Sequence, residues 1–404
     1  MKRRDLIKYL SVAPLAGGLS GVPYNTANAS VKALVKRDLI KELGLRTFIN
    51  AYGVYTTHTA SLMPDEVMDA IQFASKKYVL YNDLQDKVGE KIAAICHAEA
   101  AMVTSGCWSA LVLGTAGILT GMDKAKVALL PDVSGFEKNE VILQKTHSGS
   151  YDHALTNTGI KRVFVETAEE MEAAINPKTA MTWYYNEAEP WGKIGHDQWL
   201  AISKKHKIPA MVDIAADVPP VENLWKFNDM GYDVVCVSGG KAIRGPQSAG
   251  ILMGRKEIIA AARLSAPPGG GNIGRGMKVN KEEIFGMYAA LDRFVNLDHG
   301  KEWKMWEDRA NVILNAVTKV NGVKAEIFVP PIANVTPTLR ISWDQSLIKL
   351  TSREMTLNLR NGEPSIEAPK SINDAMILSV WMMQPGDEKV VAKRFTEELM
   401  KARV

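Results

Sequence analysis

From about residue 98 onward the chain alternates between short β-rich runs and helical or loop stretches, and that alternation restricts the fold more than any other feature. The runs fall at 101–104, 127–130, 162–165, 180–185, 210–214, 233–238 and 249–253. Strands separated by helices build a mostly parallel sheet with helices on both faces, because each crossover must return over the sheet before the next strand can pair. A chain of 404 residues exceeds what one small core holds, so the expectation is an α/β protein of two domains.

The flanking segments set the expected domain plan. Residues 30–45 have helical spacing, and Pro64 opens a long helix carrying Val67, Ile71, Ala74 and Tyr78 on one face, followed by a second helix over 84–97. Pro267-Pro268-Gly269-Gly270-Gly271 is the clearest break in the chain. A continuous helix over 281–320 then leads to strands at 323–329 and 338–343 and a last helix at 388–402. This gives an N-terminal arm over 30–60, a large domain over 61–290, and a linker helix with a smaller C-terminal α+β domain over 291–404.

Residues 1–29 read as an export signal. Arg3-Arg4-Asp5-Leu6-Ile7-Lys8 has the twin-arginine pattern, an apolar region follows, and Ala27-Asn28-Ala29 is a small-residue cleavage site. The alternative is an amphipathic first helix. The apolar region is too short for a spanning helix, and no cysteine follows the cleavage site, so no stable membrane anchor is expected. Export through the twin-arginine translocase to the periplasm suits a protein that acquires its cofactor before crossing the membrane. The net charge of +4 falls to about +1 without this stretch, which argues against a nucleic-acid binder. Cys96, Cys107 and Cys236 have no metal-binding spacing and form no even disulfide framework, so no metal is expected.

Two residues point to chemistry. Lys241 follows the apolar run Val235-Cys236-Val237-Ser238 and two glycines, and Asp213 ends the apolar run Ala210-Met211-Val212. An acid and a lysine at successive strand ends suit pyridoxal 5′-phosphate: the lysine forms a Schiff base with it, and the acid keeps the pyridine nitrogen protonated. A carboxylate among Ala210, Val212, Ile214, Ala215 and Ala216 needs a cationic partner, although capping a strand end is its ordinary role. Thr104-Ser105-Gly106 lies between a strand and a run of helix formers, an anion-binding turn suited to a phosphate. Ser238 is placed to add a hydroxyl there, Ala215 is small enough to lie against a ring, and Arg244 is a nearby cation.

The segment Ser238-Gly239-Gly240-Lys241-Ala242-Ile243-Arg244-Gly245-Pro246-Gln247-Ser248-Ala249-Gly250 resembles the lysine motif of the selenocysteine synthase-like group of fold-type I pyridoxal-phosphate enzymes, with the ammonia-lyase branch the nearer match. Phe48–Gly53, Ser61–Pro64, Ala98–Gly106, Tyr151-Asp152-His153-Ala154, Val212–Ala216 and Ile273–Val279 add to the resemblance, which covers roughly residues 45–300. It implies Lys241 as the Schiff-base residue and Asp213 as the partner of the ring nitrogen. Ser105, Gly106, Cys107 and Ser238 would surround the phosphate, and the fold type implies at least a homodimer. His147 falls where a ring-stacking side chain is often placed, or is a loop histidine. Arg275 falls in a basic stretch that can reach a neighbouring cofactor, or is a solvated helix start. Asn50, Arg244 and Arg340 are the candidates for substrate contact, with a surface role open for Arg340. The implied reaction is an α,β-elimination on an amino acid or amino-sugar acid; transfer, racemisation, aldol cleavage and non-catalytic binding are the alternatives.

Overall fold

The computed structural model describes residues 37–369 and 375–404, so the twin-arginine stretch and the small-residue site at 27–29 lie outside the described residues. Residues 37–47 hold only the four-residue helix Leu39–Glu42, capped by the Asp38 side chain; of the helix expected over 30–45, residues 30–36 lie outside the described residues and 43–45 are turn or irregular. Residues 48–404 form the second unit.

Among the described residues twelve strands build three sheets. In chain order they are β1 (Ile49–Asn50), β2 (Ala100–Thr104), β3 (Glu140–Gln144), β4 (Lys161–Val165), β5 (Thr179–Tyr185), β6 (Ala210–Asp213), β7 (Val234–Ser238), β8 (Gly250–Gly254), β9 (Val323–Phe328), β10 (Thr338–Trp343), β11 (Ile366–Glu367) and β12 (Met376–Ser379). The large sheet has seven strands in the order β2-β8-β7-β6-β5-β3-β4. β8 runs antiparallel to both of its neighbours and the other pairs are parallel, which is the mostly parallel sheet the alternation predicts. Its central strands are buried on both faces, as such sheets require. One face packs on the helix Gly106–Thr120, whose Ala110, Leu113 and Ala116 join Met102, Trp183, Met211 and Leu252 in one apolar cluster. The other face contributes Val103, Tyr184, Val212 and Val235 to a larger core.

β9, β10 and β12 form an antiparallel three-stranded sheet backed by the helix His299–Val317, on which the helix Asp387–Lys401 packs. β1 pairs in parallel with β11, so the segment from Ile49 is stitched to the C-terminal part. Among the described residues no helix is long and apolar enough to cross a membrane.

The expected elements differ from the structure at several places. The strand expected at 127–130 is the helix Lys124–Leu129: Asp123 caps it by accepting from Ala125 N at 2.8 Å, and a cap followed by good helix formers outweighs a short apolar run. β3 has only Val141-Ile142-Leu143 between polar neighbours, too short a run to stand out. The single helix expected over 281–320 is two, Lys281–Val295 and His299–Val317, because the Asp298 side chain accepts from Lys301 N at 2.9 Å and starts a new helix. The helix after Pro64 ends at Ser75 and leaves Tyr78 fully exposed. The helix Ser352–Asn361 and β12 have no counterpart among the expected elements.

Candidate active site

Three strand ends meet at one glycine. Gly250, at the start of β8, is the register partner of Thr104 at the end of β2 and of Ser238 at the end of β7. The turn Ser105-Gly106 therefore sits on one side of Gly250, and the Ser238-Gly239-Gly240-Lys241 loop sits on the other. The approach leaves no room for a side chain: a Cβ on Gly250 would fall 2.5 Å from the Gly106 carbonyl carbon and 2.7 Å from Cys107 N. Gly106 itself has φ +82°, a conformation that side chains disfavour.

That turn opens the helix Gly106–Thr120 without a side-chain cap. The Ser105 hydroxyl pairs instead with the Ser109 hydroxyl at 2.9 Å. The first-turn N–H groups of a long buried helix are thus left to an anion, which the helix dipole favours.

Asp213 ends β6 beside Cys236 of β7 and Tyr185 of β5. It is 1 % exposed. Its Oδ1 accepts from Ala215 N at 3.0 Å and from the Cys107 thiol at 3.6 Å. Burial raises its pKa to about 6; the Ala215 N–H, the Lys241 ammonium and the Cys107 thiol favour the charged form, and Glu187 opposes it. Burial and the Asp213 charge push the Cys107 thiol well up, so it remains a donor. The Lys241 loop is held by Arg244 N donating to Lys241 O at 3.0 Å, Gly245 N to Gly239 O at 2.9 Å, and the Ser61 hydroxyl to Gly240 O at 2.8 Å. Lys241 is half-buried, and its charge acts on Asp213, Cys107 and a second acid, Asp217.

The structure thus brings Ser105, Gly106, Cys107, Asp213, Ala215, Ser238 and Lys241 into one neighbourhood, and leaves the other candidates outside it. His147 is buried on the opposite face of the sheet. Tyr185 N donates to its Nδ1 at 3.2 Å, and its ring packs edge-on to Tyr184 at 4.5 Å. Tyr184 is opposite Val212 in register and Asp213 is opposite Tyr185, so the two faces alternate and His147 shares the wrong one for ring stacking. Burial lowers its pKa to about 4. Asn50 spends its amide on a local turn: its Oδ1 accepts from Tyr52 N and Gly53 N, both at 2.9 Å, and its Nδ2 donates to Gly53 O. Arg244 donates to Leu62 O at 3.0 Å, among Arg293, Glu302 and Glu66. Arg340 is exposed on β10, paired with Glu326 across the strand and stacked over Phe328. Arg275 is exposed on the turn Ile273–Gly276.

Four residues near Asp213 are not among the sequence-based candidates. Asp217 is buried, and neither of its oxygens forms a well-aligned hydrogen bond, although the Asn186 amide and Lys241 favour its charged form. Burial raises its pKa to about 7, with the Asp213 and Glu187 charges adding to the rise. The apolar run that marks Asp213 continues to Asp217, so the same signal applies to both. The Tyr185 hydroxyl donates to Glu187 Oε2 at 2.5 Å, just past the end of β5, where strand-end position is the available signal. Tyr151, in the quoted Tyr-Asp-His-Ala segment, has its pKa raised by burial and then by Glu187 and Asp213. Among the described residues no group of three or more His, Cys, Asp or Glu side chains is placed to hold a metal ion.

A pyridoxal phosphate fits this arrangement. Asp213 is a buried carboxylate whose own partners are one N–H, one weak thiol donor and a nearby amine, and a protonated ring nitrogen is the cation it lacks. The uncapped helix start beside Gly250 is a phosphate cradle, and Lys241 supplies the amine.

Comparison with known proteins agrees. No family model matches the chain. It is 29% identical over 344 residues to the D-glucosaminate-6-phosphate ammonia lyase of Salmonella typhimurium, covering 82% of this chain and 89% of that one. It is 25% identical over 375 residues to a 5′-C-glycyluridine monooxygenase-decarboxylase of a Streptomyces species, covering 89% and 92%. A solved structure of a D-glucosaminate-6-phosphate ammonia-lyase superposes with TM-score 0.78 at 27% identity, over 91% of this chain and 99% of that one.

Proposed function

We propose that the chain is a pyridoxal 5′-phosphate-dependent lyase of the D-glucosaminate-6-phosphate ammonia-lyase branch of fold-type I enzymes, releasing ammonia from an amino acid or amino-sugar acid by α,β-elimination. The observation that carries this reading is the buried Asp213 facing the Lys241 amine beside an uncapped helix start, all within one strand end of Gly250.

The cofactor, when bound, supplies an electron sink for negative charge developing at the substrate Cα. The protein's residues hold it and move the protons. Lys241 Nζ would hold it covalently and, freed by the substrate amine, would take the Cα proton and deliver it to the departing β-substituent; water then hydrolyses the released enamine to keto acid and ammonia. Asp213 would hold the ring nitrogen in its protonated form, and Ala215 N and the Cys107 thiol fix the carboxylate that would do so. The N–H groups from Gly106 onward and the hydroxyls of Ser105 and Ser238 would bind the phosphate. The dry surroundings of Asp213 strengthen each of these interactions.

Purified protein should absorb at about 420 nm, and Lys241→Ala should abolish that band along with keto-acid release from a screen of D- and L-amino acids and amino-sugar acids. A band that survives Lys241→Ala refutes the assignment. Keto acid released together with an equal amount of ammonia separates elimination from racemisation, transfer and aldol cleavage on the same fold, and a band indifferent to every amine would mark a non-catalytic binder. We also propose export by the twin-arginine route to the periplasm, supported by Arg3-Arg4-Asp5-Leu6-Ile7-Lys8 and Ala27-Asn28-Ala29.

A further inference from the structure

The segment Tyr151-Asp152-His153-Ala154 leads into the short helix His153–Thr156 with an aspartate at the capping position that caps nothing. An aspartate there ordinarily accepts from first-turn N–H groups. Asp152 turns back instead: its Oδ2 accepts from Arg162 Nη1 at 2.8 Å and from the Ser148 hydroxyl at 2.9 Å, and its Oδ1 accepts from Gly149 N at 3.3 Å. It is 0 % exposed. The loop 148–151 is thereby closed onto a buried carboxylate. Ala154 and Leu155, on the far side of Asp152, are anchored in the apolar cluster that the helix Gly106–Thr120 shares with the sheet.

Arg162 comes from β4, an edge strand three positions from β6 in the sheet order. Register puts it on the Asp213 face: Arg162 is opposite Val141, Val141 is opposite Met181, and Met181 is four residues before Tyr185, the partner of Asp213. Its guanidinium also lies over the Phe164 ring, 5.5 Å from the centroid. Such a pair is stiff, because separating it would leave a carboxylate charge in apolar surroundings. The residue it fixes in place is Tyr151. The Tyr151 ring centroid is 6.0 Å from that of Tyr185. Burial raises the pKa of its hydroxyl, and the charges of Glu187, Asp213 and Cys107 add to the rise, so the hydroxyl lies within electrostatic reach of all three. Two residues on, the His153 ring is 6.1 Å from Trp108, in the first turn of the helix Gly106–Thr120. The segment thus reaches from the strand end that carries Tyr185 to the helix start that carries Cys107, and these are the two elements that flank Asp213.

Resting on the cofactor reading above, we propose that the Asp152–Arg162 pair sets how tightly the cofactor is held, by fixing the Tyr151 ring against it. Tyr151 supplies an aromatic face to an aromatic ring, a contact that lasts only while the tyrosine is held still. Arg162 touches neither cofactor nor substrate; it is a positioning residue that acts through Asp152 and the closed loop. This gives the Tyr-Asp-His-Ala segment its role, and Tyr151 takes the place that the position of His147 along the chain suggested.

Equilibrium dialysis against pyridoxal 5′-phosphate tests this with Tyr151→Ala, Arg162→Met, Arg162→Lys and the combined Tyr151→Ala/Arg162→Met protein. Tyr151→Ala and Arg162→Met should each weaken cofactor affinity about fivefold, and the visible circular dichroism of the bound cofactor should shrink in both. Arg162→Lys, which keeps the buried charge paired, should recover most of the loss. The combined protein should bind no more weakly than Tyr151→Ala alone, because Arg162 then has nothing left to position. Should Arg162→Met not fold, Ser148→Ala, which removes another donor to Asp152, takes its place in the same comparison. Affinity unchanged in Tyr151→Ala overturns the proposal. A loss from Arg162→Met that persists in full beside Tyr151→Ala also overturns it, since the pair would then serve the fold alone. Unaltered protein that takes up no pyridoxal phosphate overturns the cofactor reading and this proposal with it; uptake indifferent to Tyr151 overturns the proposal alone.

Discussion

Replacing Asp213 with asparagine should make the cofactor-free protein more stable and the loaded protein less able to keep its cofactor. The reason is the carboxylate's environment. Folding carries Asp213 from water, where its pKa is 3.8, into a site where burial raises it to about 6. A raised carboxyl pKa means that the folded state prefers the proton. Below pH 3.8 both states hold it and there is no penalty; the penalty grows between pH 3.8 and 6 and is complete above pH 6, at about 3 kcal/mol. An asparagine side chain in its place keeps an oxygen to accept from Ala215 N and the Cys107 thiol, and it carries no charge to desolvate. Urea unfolding of apoprotein should therefore show Asp213→Asn more stable by about 3 kcal/mol at about pH 7.5, with the difference vanishing near pH 4. With cofactor bound the order inverts, because the ring nitrogen loses its counter-ion; breaking such a buried pair costs about 3–5 kcal/mol, or a cofactor affinity lower by about 100-fold or more. Asparagine-substituted apoprotein no more stable than the unaltered protein under those conditions would refute the reasoning, since the charge would then be solvated or already paired.

Two further outcomes are expected, one from the structure and one from the sequence. Gly250→Ala places a Cβ 2.5 Å from the Gly106 carbonyl carbon, so it should cost about 1–3 kcal/mol and weaken cofactor retention at least tenfold with Lys241 intact, measured by dialysis against fixed cofactor concentrations; unchanged retention would show that the turn does not hold the phosphate. Exchanging Arg3 and Arg4 for lysine should leave the protein in the cytoplasmic fraction of a Gram-negative host, and undiminished periplasmic recovery would dismiss the twin-arginine reading.

The site is legible where a residue's local surroundings already conflict with its chemistry. A carboxylate inside Ala-Met-Val-Asp-Ile-Ala-Ala has to be buried by the strand that carries it, and an amine after Ser-Gly-Gly ends a strand whose glycines permit close approach. Asp217 obeys the same rule four residues further on, but it lies past the strand end, where a loop carboxylate is ordinarily solvated. His147, Asn50 and Arg340 show the opposite case. Their positions along the chain are suggestive, but which face His147 takes depends on the register of β5 with β6, and Arg340 turns outward because β10 alternates with its buried Leu339 and Ile341.

The sequence by itself determined the alternation that makes the large sheet, the acid and amine at neighbouring strand ends, and the turn that precedes the helix Gly106–Thr120. These are local properties: periodicity, burial of flanking residues and backbone permissiveness act within a few residues. Tertiary structure alone decided that β8 inserts between β2 and β7, so that the turn after Thr104 and the loop after Ser238 lie on either side of Gly250. The pairing of β2 with β8 joins segments more than a hundred residues apart, which no local pattern encodes.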